Sequence, residues 1–297
     1  MTSSHSETAD RTPVDPRAAA VAAKTGFDHV YNQADPRDYY HALVSGLDYE
    51  EPAHCARIVN ALLPHIRTHH PQPKILDLGC SYGTLGALLK TDRTLDDLRD
   101  RYVSPDLRDL AWDDLAADDR AYFAAHAIPG APIMLGTDAA DLAVRYGLAT
   151  GALDQGWTLN LEESEAPDSL RSGLRGVDLL AVAGVVGYLT EITMGRVMEA
   201  IDGPKPWVMA LVMRMYPYDR IAETLSAHGL VTELVEGATF RRRRFASDQE
   251  QANVLAQLEA LGLDPTGREA EGWYHAQLYI SRPEGDPAPD LTGPLEL

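Results

Sequence analysis

The residues with the clearest chemical pattern surround a glycine turn. An apolar stretch at residues 74–78 includes Asp77, and it is followed by Gly79, Cys80, Ser81 and Gly83. Small residues at such a turn let the backbone approach a ligand closely, because no large side chain stands in the way. We therefore expect a buried strand, a ligand-binding turn and the start of a helix here.

The spacing of the small residues narrows the choice of ligand. A dinucleotide-binding turn has glycine at relative positions 1, 3 and 6, and here the third and sixth positions are Ser81 and Thr84. A Walker-type loop requires Gly-Lys-Ser/Thr, which does not follow this turn. The turn disfavours NAD and FAD, although a nicotinamide oxidoreductase stays open as a distant alternative.

The pattern Asp-x-Gly-x-x-x-Gly instead resembles the first motif of class I S-adenosylmethionine (SAM)-dependent methyltransferases. Asp77, Gly79 and Gly83 match that motif, and Ser81 replaces its usual middle glycine. The resemblance continues in order through Asp138 and through residues 160–161, and it spans residues 74–283. Asn160 stands where the family usually has Asp.

The resemblance implies SAM as the cofactor and a set of binding residues. In the family, the acid at the second strand binds the ribose hydroxyls, and the residues after the third strand contact adenine. The implied cofactor-binding residues are Asp77, Gly79, Cys80, Ser81, Gly83, Asp138, Asn160, Leu161 and Gly184. Taken alone, Asp138 is equally well explained as a helix N-cap, and the turn as a strand–helix connection without a ligand.

Candidates for catalysis and substrate binding follow from the expected sheet edge. Methyl transfer is an in-line displacement, so a general base is needed only where the nucleophile carries a proton. His275 has an unperturbed pKa suited to such a role, with ordinary packing as the alternative. Tyr188, after the fourth strand, is the second catalytic candidate. The substrate-binding candidates are Tyr39, Tyr40, Tyr216, Arg244 and Tyr274.

Residues 241–244 are four consecutive arginines in an otherwise acidic chain. On a strand, alternate side chains face opposite ways, so at most one alternate pair can face a site. Guanidinium groups there would suit a substrate carboxylate or phosphate and would give the pocket a charge opposite to that of the exterior. Ion pairing with the abundant acids is the alternative.

Short apolar stretches alternating with helical segments predict the elements that position these residues. We expect strands at residues 74–78, 133–138, 157–160, 177–183 and 207–213. Two further strands follow at 231–245, interrupted near Gly237, and at 273–281. This pattern predicts an α/β fold with a Rossmann-like, seven-stranded, mostly parallel sheet whose last strand is antiparallel.

The predicted organisation has five parts. Residues 1–20 form a disordered tail, 21–72 a helical cap, 73–282 the SAM-binding domain and 283–297 a second tail, and the domain carries helical insertions at 91–130 and 247–271. Because ligands bind at the carboxyl edge of such sheets, we expect the first insertion to lie away from the site. The second is expected to form part of a substrate cap.

Composition excludes several functions. The chain has 297 residues, with 26 Lys and Arg against 45 Asp and Glu, and its net charge is −19. That charge opposes nucleic-acid binding, as does the absence of an Asp/Asn-Pro-Pro-aromatic signature. Two cysteines and a polar N-terminus without a signal-peptide core favour a cytoplasmic location, and no apolar stretch approaches membrane-spanning length.

These observations predict a methyltransferase that moves the methyl group of SAM to O, N or C of a small molecule. An anionic metabolite or a natural-product intermediate is the candidate substrate. The alternative is a methyltransferase-like protein that binds SAM or its product and catalyses another reaction or acts as a scaffold. We expect no metal site, no nucleic-acid or membrane partner, and leave a homodimer open.

Overall fold

A seven-stranded sheet forms the centre of the structure, a computed structural model that describes residues 26–66 and 71–291. The strand order is β3-β2-β1-β4-β5-β7-β6. Strands β1 to β5 are parallel, and β7 is antiparallel to both of its neighbours. The strands are β1 (Lys74–Leu78), β2 (Ile133–Asp138), β3 (Gln155–Thr158), β4 (Leu179–Ala183), β5 (Trp207–Met213), β6 (Leu230–Arg244) and β7 (Trp273–Pro283). The predicted Rossmann-like fold with an antiparallel last strand is confirmed.

Helices cover both faces of the sheet because successive strand residues point to opposite sides. Ile75 packs into one hydrophobic cluster and Leu76 into the other. The helices are α1 (Asp28–Tyr31), α2 (Arg37–Tyr39), α3 (Glu51–Ile66), α4 (Thr84–Lys90), α5 (Leu95–Val103), α6 (Trp112–Ala125), α7 (Asp141–Thr150), α8 (Asp168–Gly173), α9 (Glu191–Ala200), α10 (Asp219–Ala227) and α11 (Asp248–Ala260). A π-helical turn, Tyr40–Ser45, follows α2.

The third strand differs from its prediction. We expected a buried strand at 157–160, but β3 spans Gln155–Thr158 and its residues are exposed or half-buried. It lies at the edge of the sheet, where one side has no neighbouring strand. Asn160 therefore follows the strand instead of ending it.

The described part of the N-terminal segment is helical and crosses the carboxyl edge of the sheet. Backbone hydrogen bonds join it to the end of β6: Glu50 N donates to Arg242 O, and Arg244 N donates to Leu47 O, both at 2.8 Å. These bonds fix the approach to α3, so the tyrosines of this segment are placed over the ends of the strands.

The two predicted tails fall partly outside the described residues. The N-terminal tail, residues 1–20, lies entirely outside them, and the C-terminal one is described only to residue 291. The described part of the latter is not loose. Trp207 Nε1 donates to Asp286 Oδ2 at 2.9 Å, and Leu291 is buried in the core.

The first insertion, residues 91–130, contains α5 and α6 and packs against the N-terminal segment. Arg37 Nη1 donates to the carbonyl oxygens of Leu107, Arg108 and Leu110. Tyr102 stacks on Tyr40, with ring centroids 4.4 Å apart. The insertion therefore supports the segment that lies over the carboxyl edge.

The second insertion, residues 247–271, is held to the sheet by two buried ion pairs. Arg243 Nη2 contacts Glu250 Oε1 at 2.8 Å, and Arg214 Nη1 contacts Glu269 Oε2 at 2.5 Å. Buried charges are tolerated when they are paired and hydrogen-bonded in this way. These contacts fix α11 and the turn that follows it.

Candidate functional site

A cavity of about 460 Å³ opens at the carboxyl ends of β1, β2 and β4. Four segments of the sheet domain and the N-terminal segment form its walls. The lining residues are 77–81, 84, 85, 137–140, 159–162, 183–185, 188, 189 and 193, together with Tyr31, Asn32, Tyr39, Tyr49, Pro52 and Cys55. The cavity lies where ligands bind in open parallel sheets.

The turn after β1 has an unusual backbone. Gly79, Ser81 and Gly83 all have positive φ, at 80°, 47° and 79°. Glycine adopts this region without strain, whereas a residue with a Cβ pays about 1 kcal/mol. Ser81 N donates to Asp138 Oδ2 at 2.8 Å, which holds the strained residue in place. Ser81 Oγ is buried and has no hydrogen-bond partner among the described residues.

Asp77 and Asp138 bring two carboxyl groups to the same cavity. Asp77 is only 6% exposed. Burial, and secondarily the nearby Asp138, raise the pKa of Asp77 to about 7. A buried acid with a raised pKa beside a cavity is typical of a ligand-binding or catalytic group.

Asp138 has a defined local role besides lining the cavity. Burial raises its pKa, and hydrogen bonds from backbone N–H groups oppose that rise. Its Oδ1 accepts from Ala140 N at 2.9 Å. Helix α7 begins only at Asp141 and its N-cap is Ala140, so the N-cap interpretation of Asp138 is wrong. The backbone N–H groups of Ser81, Ala139 and Ala140 donate to these two oxygens, and a carboxylate has about four acceptor sites, so Asp138 retains acceptor capacity for a ligand.

The segment after β3 forms a turn that is tied to α9. Asn160 Oδ1 accepts from Glu162 N at 3.1 Å. Glu162 accepts hydrogen bonds from the backbone N–H and hydroxyl groups of Thr190 and Thr193. Burial alone would raise the pKa of Glu162, but these hydrogen bonds lower it below its usual value. Glu162 therefore remains ionised and fixes this wall of the cavity.

Four tyrosine side chains form an aromatic part of the cavity wall. Tyr31, Tyr39 and Tyr49 come from the N-terminal segment, and Tyr188 follows β4. The ring centroid of Tyr39 lies 6.0 Å from that of Tyr31 and 6.2 Å from that of Tyr49. Burial raises the pKa of Tyr31, Tyr39 and Tyr49, so these phenols are uncharged at neutral pH.

The structure brings most of the sequence-predicted residues to this one cavity. Those that line it are Tyr39, Asp77, Gly79, Cys80, Ser81, Asp138, Asn160, Leu161, Gly184 and Tyr188. Six predicted residues do not line it: Gly83, Tyr40, Tyr216, Arg244, Tyr274 and His275.

Gly83, Tyr40 and Tyr216 do not line the cavity but pack close to segments that do. A Cβ at Gly83 would lie 3.0 Å from the Cβ of Ala152, so this glycine permits close packing beside the turn. Tyr40 is buried against Tyr102, and its hydroxyl lies 3.5 Å from Thr84 Oγ1. Tyr216 packs on Gly187, where an added Cβ would meet its ring at 2.6 Å.

The arginine run does not alternate as predicted. A register shift lies between Arg241 and Arg244, so Arg242 and Arg243 are both buried. Arg241 and Arg244 both stack on Trp273, at 4.6 and 4.4 Å from its ring centroid. Arg244, the predicted substrate ligand, pairs with Asp48 and is half exposed.

Each arginine of the run pairs with an acid, as the ion-pairing alternative predicted. The partners of residues 241 to 244 are, in order, Glu50, Glu51, Glu250 and Asp48. Within the described part of the chain, no Lys, Arg or His lines the cavity, and its acidic side chains are Asp77, Asp138 and Glu162. The expectation of a pocket with the opposite charge is wrong.

His275 and Tyr274 lie within the sheet and away from the cavity lining. His275 is paired with Arg241 in the β6–β7 register. Burial and the nearby Arg268 and Arg214 lower the pKa of His275 to about 4, which weakens it as a base at neutral pH. Tyr274 packs against Phe245 and beneath the Arg243 guanidinium.

Neither insertion contributes a lining residue. Residues 91–130, which were expected to lie away from the site, pack against the N-terminal segment that borders the cavity. The expected substrate cap at 247–271 is not found at the cavity. The second insertion is instead held at the end of β6, where Glu250 pairs with the buried Arg243.

Several lining residues had no signal in the sequence. Tyr49, Pro52 and Cys55 reach the cavity because residues 47–50 hydrogen-bond to the end of β6, a pairing between segments nearly 200 positions apart. Thr193 and Glu162 could have been suspected as a helix N-terminus facing an acid. Among the described residues no group of side chains could hold a metal ion, and no helix is long and apolar enough to cross a membrane.

Comparison with known proteins adds neighbours in fold. No protein-family model and no curated protein matches the chain. Magnesium protoporphyrin IX methyltransferase from Synechocystis PCC 6803, solved with bound SAM, is 11% identical over 91% of this chain and 98% of that chain, with a TM-score of 0.38. A TehB-like SAM-dependent methyltransferase from Corynebacterium glutamicum is 16% identical, covering 75% and 88%, with a TM-score of 0.37.

A third neighbour is precorrin-6y C5,15-methyltransferase from Geobacter metallireducens. It is 10% identical over 75% of this chain and 86% of that chain, with a TM-score of 0.35. All three are methyltransferases by name. At this level of identity, the fold of the present chain is read from its own strand order, and its chemistry from its own cavity.

Proposed function

We propose that the protein is a SAM-dependent methyltransferase that acts on a small molecule. The observation that carries this proposal is the order of groups along one cavity. Asp77 and the strained Ser81 turn lie at the end of β1, Asp138 at the end of β2, and Asn160 and Leu161 just beyond β3. These are the positions, in the same order, at which the resemblance to class I methyltransferases places its cofactor ligands.

The residues present fit the chemistry of SAM. The Asp77 carboxyl group is buried beside a second acid, and a ligand ammonium group would stabilise its ionised form. The free lone pairs of Asp138 suit two vicinal hydroxyls. Leu159 and Leu161 provide apolar surface for a planar ring. The unpartnered Ser81 Oγ adds a donor that glycine would lack.

When bound, SAM supplies a methyl group activated by its attachment to a positively charged sulfur. The chain's own residues would then bind, orient and exclude water. Because the reaction is an in-line displacement, correct alignment contributes more than proton transfer. Tyr39, Tyr49 and Tyr188 border the part of the cavity next to Gly184, where an acceptor molecule would lie.

The second candidate function is binding of SAM or its product without methyl transfer. Ser81 and Asn160 both depart from the family's usual residues, and His275 is too far removed and too weak a base to assist a protonated nucleophile. Purified protein that retains the cofactor but forms no S-adenosylhomocysteine with a broad panel of small acceptors would favour this alternative.

The proposal is tested by calorimetric titration with S-adenosylhomocysteine. We expect binding to the wild type and at least about tenfold weaker binding to Asp138→Asn, because the amide keeps the side chain's shape but loses one acceptor oxygen. Asp154→Asn is the matched control. Asp154 also accepts a backbone N–H, from Met134 at 2.7 Å, but does not line the cavity.

Two results would overturn the proposal. One is the absence of any binding by the wild type. The other is an affinity that changes equally in Asp138→Asn and Asp154→Asn, since the cavity would then not be the binding site.

A further inference from the structure

The cavity carries an unusual balance of charge for a pocket expected to hold an anion. Among the residues that the structure describes, its lining side chains include the acids Asp77, Asp138 and Glu162 and no basic residue. A negatively charged acceptor bound beside the cofactor would meet repulsion from the ionised acids, and no cation among the described lining residues would compensate its lost hydration. The carboxylate of the cofactor differs, because the cofactor's own ammonium group lies next to it.

A guanidinium approaches the cavity wall at one point, beside Gly184. This glycine lines the cavity at the end of β4 and has a φ of +74°. A Cβ added there would meet Glu51 Oε2 at 2.9 Å, Tyr49 hydroxyl oxygen at 3.0 Å and Arg242 Nη2 at 3.2 Å. Polar atoms of Glu51, Tyr49 and Arg242 therefore lie together next to Gly184 in the cavity wall.

The positive charge of Arg242 is already balanced by Glu51. Arg242 Nε donates to Glu51 Oε2 at 2.7 Å, and the Tyr49 hydroxyl donates to the same oxygen at 2.9 Å. Glu51 is 1% exposed, and its second oxygen, Oε1, has no hydrogen-bond partner among the described residues. This cluster therefore offers an unused acceptor and no unused cation.

The rest of this wall is aromatic and uncharged. Tyr31, Tyr39 and Tyr49 form adjoining rings, and Tyr188, which is 50% exposed, also lines the cavity. Tyrosine rings favour a flat apolar partner, and their negative faces favour a cation over an anion.

We propose that the acceptor substrate is an aromatic alcohol or amine without negative charge, bound against Tyr39, Tyr49 and Tyr188, and that Glu51 sets this preference by cancelling the charge of Arg242. This inference rests on the proposed function and replaces the anionic substrate that the arginine run suggested. Glu51 acts here as a specificity-determining residue behind the wall.

The experiment uses three probes that share one ring and differ in charge. Tyrosol is neutral, tyramine is cationic and 4-hydroxyphenylacetate is anionic at neutral pH. Binding of each is measured by ligand-observed NMR and calorimetry on full-length protein saturated with S-adenosylhomocysteine. We expect tyrosol and tyramine to bind at least about tenfold more tightly than the carboxylate, a difference of about 1.4 kcal/mol.

Variants separate the two parts of the inference. Glu51→Gln leaves Arg242 uncompensated, so the affinity for 4-hydroxyphenylacetate should rise at least about fivefold while that for tyramine falls. Tyr188→Ala should weaken the binding of all three probes, and we expect the variant to fold because the side chain is half exposed. Ile192→Ala is its control, because Ile192 is equally exposed but does not line the cavity.

The outcomes are distinguishable from failure of the proposed function, which would abolish binding of S-adenosylhomocysteine itself. Equal or tighter binding of the carboxylate by the wild type overturns the charge preference. Failure of all three probes to bind the loaded protein overturns the aromatic class. If Glu51→Gln does not fold, the wild-type series and Tyr188→Ala still decide the question.

Discussion

Asp77 is a carboxyl group held beside another carboxyl group, and that placement costs free energy in the absence of a ligand. Burial and Asp138 together raise its pKa to about 7. The folded state therefore holds a proton that the unfolded chain would release above about pH 4. Stability of the ligand-free protein consequently falls as pH rises from about 4 to about 7, and a positively charged ligand would offset this loss.

The same shift predicts a pH dependence for cofactor binding. An ammonium group binds the ionised form of Asp77, so affinity for S-adenosylhomocysteine should be about tenfold higher at pH 8 than at pH 6 and should level off above the pKa. Calorimetry in buffers with different ionisation enthalpies should also detect proton release near pH 7.

Asp77→Asn provides the comparison for that pH profile. The variant should bind weakly at both pH values, and its thermal stability between pH 4 and pH 8 should depend less on pH than that of the wild type. An unchanged tenfold pH effect in Asp77→Asn would assign the titration to a different group.

Single residues also show where sequence reasoning succeeds. Gly79 and Gly83 could be placed in the turn because a positive φ is a local property that glycine satisfies. Both have φ values near +80°. Glu51 could not be identified as important, because its role depends on a hydrogen bond to its Oε2 from Arg242, which is 191 positions away in the sequence. Local chemistry is visible in a sequence, whereas such pairings require the fold.

At the scale of elements, most strands and the interruption of β6 near Gly237 were predictable, whereas the second register shift of β6, between Arg241 and Arg244, was not. Buried runs such as β5, in which every residue is buried, leave little ambiguity. In β6, one additional residue between Arg241 and Arg244 interrupts the alternation of side chains, so that Arg242 and Arg243 are both buried. Since a one-residue shift moves side chains to the other face, the substrate role assigned to Arg244 failed for a geometric reason.

The first insertion is anchored by a buried carboxylate that the sequence did not single out. Asp119 is fully buried. It accepts hydrogen bonds from the hydroxyl groups of Tyr102 and Tyr146, and Arg101 Nη2 lies 2.7 Å from its Oδ1. These contacts join α5, α6 and α7, so Asp119 links the insertion to the helix that follows β2.

Removing this anchor should destabilise the protein without altering the cavity directly. Asp119→Ala leaves two buried tyrosine hydroxyls without their acceptor and leaves Arg101 paired only with Asp118, so we expect a loss of about 3–5 kcal/mol in the free energy of unfolding. Tyr102→Phe removes a single hydrogen bond and should cost about 1 kcal/mol. Urea denaturation measures both values.

Equal losses in the two variants would mean that the carboxylate does not act as the shared acceptor. Affinity for S-adenosylhomocysteine should stay within about twofold of wild type in Tyr102→Phe, because neither insertion lines the cavity.

At the scale of the whole molecule, the excess of acids that gives the net charge of −19 extends to the cavity as well as to the exterior. The first insertion alone contains ten aspartates and five arginines. The lining residues that the structure describes add three acids and no base. Each arginine of residues 241–244 is engaged in an ion pair. A cationic cofactor and an acceptor without negative charge are both consistent with this field, which would favour their approach.

This charge predicts the response of stability to salt. Repulsion among the excess acids opposes the compact state, and added salt screens it. Raising NaCl from about 0.01 M to about 0.15 M shortens the screening length from about 30 Å to about 8 Å. We expect the melting temperature at pH 8 to rise by about 2–5 °C, corresponding to roughly 1 kcal/mol for a chain of this size.

The buried pairs Arg242–Glu51 and Arg243–Glu250 are shielded from solvent, so added salt should affect them little. At pH 5, close to the isoelectric point of about 4.8, the same change in salt should have little effect. A melting temperature that falls with salt at pH 8 would show that attractive surface ion pairs outweigh the net repulsion.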